Sequence, residues 1–159
     1  MPKTFIELQF LKQSKEYTCV PTFVRMVLNY YGDDRTETEL EQLLGCTPFG
    51  TTAQSVMNVT RLGYQVDVRY STLEELETFF DSQQPVIAFV WTGNLDYWTT
   101  NSPHAVVVLG YDEQFVYIAD PYFDEAPQQA RIKNFQAAWR RTRNRMAVIR
   151  RASLNGVSP

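Results

Sequence analysis

The chain has 159 residues, enough for one domain with its own hydrophobic core. Its composition, 44% hydrophobic and 21% charged, is that of an ordinary globular protein, and its net charge of −3 excludes a surface that is basic throughout. With one histidine and two cysteines the chain lacks the ligands of most zinc sites, and it has no glycine-rich phosphate loop. We therefore expect no zinc site, no phosphate-binding loop and no nucleic-acid partner.

Neither a membrane span nor a secretion signal is predicted. No apolar run approaches the roughly 18 residues that a membrane helix needs. The N-terminal stretch "MPKTFIELQFLKQSKEY" is charged throughout and lacks the apolar core of a signal peptide. We therefore predict a cytoplasmic protein, in which the two cysteines, Cys19 and Cys46, need not pair.

The first half of the chain is predicted to be mostly helical. Apolar residues recur at helical spacing from Val20 to Tyr31, and Gly32 ends the pattern. Pro21 suits a first helical turn, which places Cys19 at the N-terminus of this helix. Four further elements follow: a helix that a capping box opens at Thr36 and that runs through Leu44, a helix in "GTTAQSVMNVTRLG", a strand in "YQVDVRY", and a helix that a second capping box opens at Thr72.

The second half changes to the periodicity of strands. The run "VIAFVW" predicts a short buried strand, and "HAVVVLGY" and "FVYIAD" flank a short turn, which is typical of a β-hairpin. A helix is predicted in "KNFQAAWRR" and a last strand in "MAVIRR". Helices first and antiparallel strands second indicate an α+β fold, in a single domain over residues 1–159.

Cys19 has the position of an activated nucleophile. The macrodipole and free N–H groups of a first helical turn favour a negative charge, and the thiolate is the reactive form of cysteine. His104, the single histidine, opens a predicted strand and can accept the thiol proton. Asp120 ends the next strand of the same hairpin, at a similar distance from the turn, and can orient the imidazole.

Gln13 and the backbone N–H of Cys19 can donate hydrogen bonds to a developing oxyanion. Each residue also has a structural interpretation, as a buried cysteine, a hydrogen-bonded core histidine, or an aspartate that starts a turn. The order Gln, Cys, His, Asp and the hairpin relation between the last two favour the catalytic interpretation. Cys46 has no partner in this scheme and is predicted to be structural.

These stretches together resemble one family. The segment Gln13–Gly32, the strand "HAVVVLGY" and the motif "VYIADP" are similar to the papain-like cysteine peptidases that process bacteriocin leader peptides. The resemblance spans about residues 13–149 and includes "GTTAQSVMNVTRLGYQV". It implies a papain-like fold, in which an N-terminal helical lobe and a C-terminal antiparallel sheet lobe meet at the catalytic cleft, without metal or cofactor. It also implies Cys19 as nucleophile, His104 as general base and acid, Asp120 as orienting residue and Gln13 in the oxyanion hole.

The chain departs from the family pattern beside the nucleophile. Members commonly have Asp or Glu before the cysteine and Gly after it, whereas this chain has Thr18 and the bulkier Val20, which is expected to reshape the cleft. The chain resembles stand-alone members, so cleavage after a double glycine is not implied. In the loop "TGNLDYWTTNSP", Tyr97 and Trp98 either line a substrate groove or pack the loop onto the protein.

The resulting prediction is a cysteine peptidase that hydrolyses a peptide or protein substrate through an acyl-enzyme. Two alternatives stay open: an acyltransferase of the transglutaminase type, in which an amine replaces water, and a peptide-binding module that has lost activity. The arginine-rich end, from Arg140 to Arg151, is interpreted as a solvated face or as a docking site for an anionic partner.

Overall fold

The computed structural model describes residues 4–152 and confirms the α+β class. Within these residues there are four α-helices: α1 (Cys19–Tyr30), α2 (Glu37–Leu43), α3 (Leu73–Asp81) and α4 (Ile132–Arg140). The strands of the same part are β1 (Thr4–Phe5), β2 (Tyr64–Tyr70), β3 (Val86–Trp91), β4 (Pro103–Tyr111), β5 (Phe115–Ala119), β6 (Gln128–Arg131) and β7 (Arg145–Arg151). None of the described helices is long and apolar enough to cross a membrane.

The seven described strands form one antiparallel sheet. The strand order is β2-β7-β3-β4-β5-β6, and β1 pairs with the last residues of β4. The C-terminal strand β7 lies between β2 and β3 and pairs with both. Insertion of β7 therefore ties the strand of the helical half of the chain to the sheet of the second half.

The central strands are buried on both faces, which explains their near-continuous apolar sequences. In β3 all residues from Val86 to Val90 are buried, and in β4 burial extends from Ala105 to Gly110. Helix α1 packs against β4 and helix α4 against β3. Because large side chains such as Trp139 of α4 are almost fully buried, each contributes roughly 2–3 kcal/mol to folding.

The two predicted capping boxes differ in outcome. At the start of α2 the box is complete, since Thr36 accepts from the Glu39 N–H and Glu39 accepts from the Thr36 N–H. At the start of α3 only half of it forms: Thr72 accepts from the Glu75 N–H, but the Glu75 carboxylate binds the Arg69 guanidinium through two bonds of 2.6 Å. Arg69 on β2 therefore binds the carboxylate that would otherwise complete the capping box.

The helix predicted in "GTTAQSVMNVTRLG" is a 3-10 helix, Ala53–Leu62. Its buried residues Val56 and Val59 are three positions apart. In a 3-10 helix side chains at this spacing lie directly above one another, so the whole apolar set faces the protein. Gly63 ends the element in the left-handed conformation, with φ of 92°.

Candidate active site

Cys19 is the first residue of α1, and this helix begins without a side-chain cap. The N-cap residue Thr18 makes no such bond, because its hydroxyl donates to the Lys15 carbonyl at 2.9 Å. The first turn also contains no acidic residue, in contrast to the first turns of α2 and α3. The N–H groups of a first turn have no partners within the helix and carry partial positive charge. The start of α1 is therefore open to a negative charge at or near Cys19.

The structure brings His104 and Asp120 into contact. The imidazole Nε2 of His104 lies 2.7 Å from Oδ1 of Asp120, and the two side chains are 7% and 0% exposed. His104 is the second residue of β4, and Asp120 directly follows β5. The two residues come from opposite strands of the predicted hairpin.

A β-bulge in the hairpin sets which side chains share a face. Near the turn, Gly110 pairs with Tyr117, whereas beyond the irregularity Val107 pairs with Ala119, a register shifted by one residue. When this shifted register is extended past Ala119, Asp120 becomes a diagonal neighbour of His104 on the same face of the sheet. Without the shift Asp120 would point to the opposite face, because side chains alternate along a strand.

The Asp120 carboxylate accepts hydrogen bonds at both oxygens. In addition to His104, Oδ1 accepts the backbone N–H of Tyr122 at 3.1 Å. Oδ2 accepts the Tyr97 hydroxyl at 2.8 Å and the indole N–H of Trp98 at 3.0 Å. The carboxylate is thereby held in one orientation, with its Oδ1 directed at the imidazole.

Tyr97 and Trp98 were predicted as candidates for substrate binding, and the structure places both on Asp120. Burial, together with the adjacent Asp120 charge, raises the pKa of Tyr97 well above its ordinary value, so its hydroxyl stays a donor. The Trp98 ring lies 5.1 Å from that of His104 and 4.7 Å from that of Tyr122. Trp98 and Tyr122 also line the cavity above Cys19, so contact of Trp98 with substrate stays a prediction that the geometry permits.

The His104 imidazole is subject to opposing influences. Burial, the largest of these, favours the neutral ring. Hydrogen bonds and charge interactions with Asp120 and with the Cys19 side chain favour the protonated ring, and the net effect raises the pKa of His104 to about 9. Because Asp120 occupies Nε2, the nitrogen that remains for Cys19 is Nδ1. At neutral pH the site therefore places an imidazolium beside the thiol.

The raised pKa of His104 predicts a pH dependence of stability. Because the folded pKa lies above the ordinary value of 6.5, protonation stabilises the folded state fully below about pH 6.5, and this contribution is lost as the pH rises through about 9. At about 1.4 kcal/mol per pKa unit the effect reaches about 3 kcal/mol. We expect the free energy of unfolding of the wild type, minus that of His104→Gln, to decrease from about pH 6 to about pH 10 in denaturant titrations. A difference that does not change with pH would contradict this assignment.

Cys19 and His104 both line a cavity of about 580 Å³. One wall comes from the helical half of the chain and includes Val20 and the turn Pro48–Gly50, and the other comes from β3, β4 and the loop between them. Val20 is 3% exposed and directly follows Cys19, at the position where a bulkier residue was expected to reshape the cleft. Phe49, at the tip of the turn, is 101% exposed at the mouth of the cavity.

Gln13 lies near the cavity without lining it. Its backbone N–H donates to the Pro121 carbonyl at 3.0 Å, which ties the segment before Cys19 to the residue after Asp120. Its side-chain amide donates to the carbonyls of Lys15 and Glu16, at 2.8 and 3.1 Å. The side chain is therefore engaged with the turn that leads into α1, while its carbonyl oxygen is buried without a hydrogen-bond partner within the described residues.

The second cysteine lies apart from this arrangement. Cys46 is half-buried, and its Sγ lies 3.7 Å from the carbonyl oxygens of Tyr17 and Thr47. Both cysteines are free thiols. Among residues 4–152, no group of three or more His, Cys, Asp or Glu side chains is arranged to hold a metal ion.

The fold, with helices packed on one antiparallel sheet, is that of the papain-like cysteine peptidases. Within this class the chain belongs to the peptidase C39-like family, whose model matches residues 5–147. The predicted resemblance to double-glycine leader peptidases is confirmed at the level of the family. No protein of curated function matches the chain.

Solved structures support the same fold. A protein from Bacillus anthracis described as a C39-like peptidase matches with a TM-score of 0.80 and 18% identity, over 97% of this chain and 100% of its own. The peptidase domain of Streptococcus ComA, from a bifunctional ABC transporter, matches with a TM-score of 0.76 and 20% identity, over 92% of this chain and 100% of its own. A double-glycine-motif protease of an AMS/PCAT transporter, in complex with the leader peptide, matches with a TM-score of 0.73 and 19% identity, over 93% of this chain and 94% of its own. The predicted papain-like fold is confirmed, and the protein is a cysteine-type peptidase by family.

Proposed function

We propose that this protein hydrolyses peptide bonds with Cys19, His104 and Asp120 as its catalytic triad. The observation that carries the proposal is that Cys19 and His104 line the same cavity and that a buried carboxylate, Asp120, lies 2.7 Å from the imidazole. A peptide substrate is supported by the related double-glycine protease, which was crystallised with a leader peptide. Asp120 and its donors keep the imidazole in the orientation that catalysis needs.

The proposed reaction has two halves. The Cys19 thiolate adds to the carbonyl carbon of the scissile bond, and the electron pair of the C=O bond moves to the oxygen. The oxyanion collapses, the His104 imidazolium donates its Nδ1 proton to the departing nitrogen, and a thioester remains on Cys19. Water then adds to the thioester while His104 takes one of its protons, and collapse expels the thiolate and releases a carboxylic acid.

The open start of α1 supports an oxyanion site at the nucleophile. The backbone N–H of Cys19 belongs to the uncapped first turn, where a negative oxygen is stabilised by the helix. In the proposed site Gln13 supplies the second donor, and for this its amide exchanges one of its bonds to the Lys15 and Glu16 carbonyls for the substrate oxygen. In acyl-transfer enzymes the loss of one such donor costs roughly 3–4 kcal/mol of transition-state stabilisation.

Replacing Gln13 with alanine tests the second donor. We expect kcat for peptide hydrolysis to fall by about 10²–10³-fold, because the tetrahedral oxyanion loses one hydrogen bond. The rate of Cys19 alkylation by iodoacetamide is expected to stay within about threefold, because alkylation creates no oxyanion. Gln13→Met, which keeps the side-chain volume but cannot donate, is the matched variant. If alkylation falls in parallel with hydrolysis, Gln13 positions the turn before Cys19 instead.

The proposed reaction is tested by identifying the acceptor of the acyl group. A library of peptides from a digested proteome is incubated with the protein in ¹⁸O-labelled water, with and without an added primary amine, and the products are analysed by mass spectrometry. Hydrolysis predicts new C-termini that carry ¹⁸O and that disappear in Cys19→Ala. Amine adducts without ¹⁸O would assign the protein to acyl transfer, and the absence of any product would favour the peptide-binding module.

A further inference from the structure

Four arginines flank Thr142, a residue that lines the cavity, and the proposed reaction does not use them. They lie at the end of α4, in the following turn and at the start of β7: Arg140, Arg141, Arg143 and Arg145, here called the arginine rim. Arg140, Arg141 and Arg143 are exposed. The rim is concentrated positive charge on a protein whose net charge is −3.

Two contacts attach the segment of the arginine rim to the cavity wall. Thr142, inside the rim, lines the cavity, and its hydroxyl donates to the Phe89 carbonyl at 2.6 Å. The Arg141 guanidinium lies 4.7 Å from the centre of the Trp91 ring, and Trp91 pairs with Pro103 of the wall. Through Thr142 the turn of the rim borders the cavity, and Arg141 lies against strand β3 of the cavity wall.

Arg145 extends the rim toward the opposite wall. Its guanidinium donates to the side-chain oxygen of Gln54 at 3.1 Å and lies 5.9 Å from the centre of the Tyr70 ring. Gln54 follows Ala53, which lines the cavity from the helical half. The arginine rim thus spans from the β3 side of the opening to the start of the 3-10 helix.

No carboxylate among residues 4–152 neutralises the charges of the rim. Within the part of the chain that the structure describes, other arginines have carboxylate partners, among them Arg69 and Arg150, whereas no ion pair joins a carboxylate to the four rim residues. The partial negative charge at the C-terminal end of α4 stabilises Arg140 and Arg141. Arg143 and Arg145 lie beyond the helix and do not have this interaction.

We propose that the arginine rim binds an acidic segment of the peptide substrate, on one side of the scissile bond. This inference rests on the proposed peptidase function and adds a substrate class to it, peptides with Asp or Glu near the cleavage site. An extended peptide advances about 3.3 Å per residue, so a chain that leaves the cavity over Thr142 reaches the rim within a few residues. Glu16 is the single carboxylate among the cavity-lining residues described, so the positive side of the opening is the rim.

The first test measures binding to the Cys19→Ala protein, which removes turnover from the readout. The probes are fluorescein-labelled peptide pools that share six randomised positions and carry three Glu, three Gln or three Lys at one end. We expect the Glu pool to bind about 10-fold more tightly than the Gln pool, as roughly three exposed ion pairs would give, and the advantage to vanish near 0.5 M salt. Equal affinities for the three pools would overturn the proposal.

Variants of the rim give the second test. Arg141→Glu with Arg143→Glu, in the Cys19→Ala background, is expected to remove the advantage of the Glu pool. Arg143→Gly removes one charge at a residue with φ of 61°, a conformation that suits glycine, so it is expected to weaken binding about twofold without lowering the melting temperature. Arg61→Glu is the matched control, because Arg61 is exposed at the far end of the 3-10 helix, about 16 Å along its axis from Ala53.

The outcomes separate the two proposals. Cleavage by the wild type without a preference for acidic peptides overturns the rim proposal and leaves the peptidase. If the Glu pool binds through the rim but the wild type cleaves no peptide, the proposal that the rim binds acidic peptides stands and the proposed hydrolysis is overturned. A labelled single-stranded DNA that binds through the same arginines more tightly than the Glu pool would overturn the proposal in favour of a nucleic-acid partner.

Discussion

Replacing Cys19 with alanine is expected to lower kcat for peptide hydrolysis by at least about 10⁵-fold. The substitution removes the only proposed atom that bonds to the substrate, and loss of the nucleophile in a catalytic triad removes nearly all catalysis that the triad supplies. Cys19 is partly buried at the start of α1, and the side-chain interaction that alanine would remove is the one with His104. The variant is therefore expected to fold normally, as circular dichroism and thermal unfolding would verify.

Cys46→Ala is the matched control for this experiment. Cys46 is also a half-buried free thiol, but its sulfur faces backbone carbonyls of Tyr17 and Thr47 and has no imidazole partner. Its kcat is expected to stay within about twofold of the wild type. Comparable losses in the two variants would mean that the activity depends on general thiol chemistry or on folding, and would contradict the assignment of Cys19.

The second large effect is expected at His104. His104→Ala should lower kcat by at least about 10³-fold, because the proton donor to the leaving amine and the positive partner of the thiolate are both lost. The measurement is steady-state hydrolysis of the peptide that the library experiment identifies. A kcat within tenfold of the wild type would contradict a catalytic role for His104.

Chemical rescue separates catalysis from packing at this position. The alanine variant leaves a space beside Asp120 that free imidazole can occupy, so added imidazole is expected to restore part of the activity. His104→Gln fills the same space and keeps a donor for Asp120, so it should be inactive and not respond to imidazole. If both variants lose activity only in proportion to their loss of folded protein, His104 has a structural role.

Local sequence signals were sufficient to predict most elements of the fold. The apolar period of residues 20–31 with Pro21 in the first turn predicted α1 and placed Cys19 at its start, as observed. Capping by Thr36 and Thr72 predicted the starts of α2 and α3. The elements that sequence reasoning missed are β1, β6 and the 3-10 helix Thr92–Asn94, which have two, four and three residues. Such lengths are too short for a period of hydrophobicity to appear.

The candidate site required long-range information. The hairpin predicted that His104 and Asp120 approach each other, but the bulge between Val108 and Gly110, which sets their common face, depends on how the strands pack. Tyr97 and Trp98 were predicted to line a substrate groove or to pack the loop, and not to bind Asp120, because nothing local indicates that both reach one carboxylate oxygen. Aromatic residues close before a Pro-His pair were the available signal.

Charge patterning was visible in the sequence but its location was not. The run of arginines after residue 140 predicted either a solvated face or a docking site, and the fold places it at the opening of the cavity because Thr142 binds Phe89 of β3. That contact joins residues far apart in the chain. The sequence therefore shows the arginines but does not show that they lie near the cavity.

The rate at which each cysteine reacts with a thiol probe is the most direct test of the proposed triad. Wild type, Cys19→Ala and His104→Ala are treated briefly with iodoacetamide and analysed by intact-mass spectrometry and peptide mapping, with Cys46 as the internal reference in every sample. We expect Cys19 to react at least about 100-fold faster than Cys46 near neutral pH and to lose this advantage in His104→Ala. Equal rates at the two cysteines, or a fast Cys19 that does not depend on His104, would contradict the proposed triad.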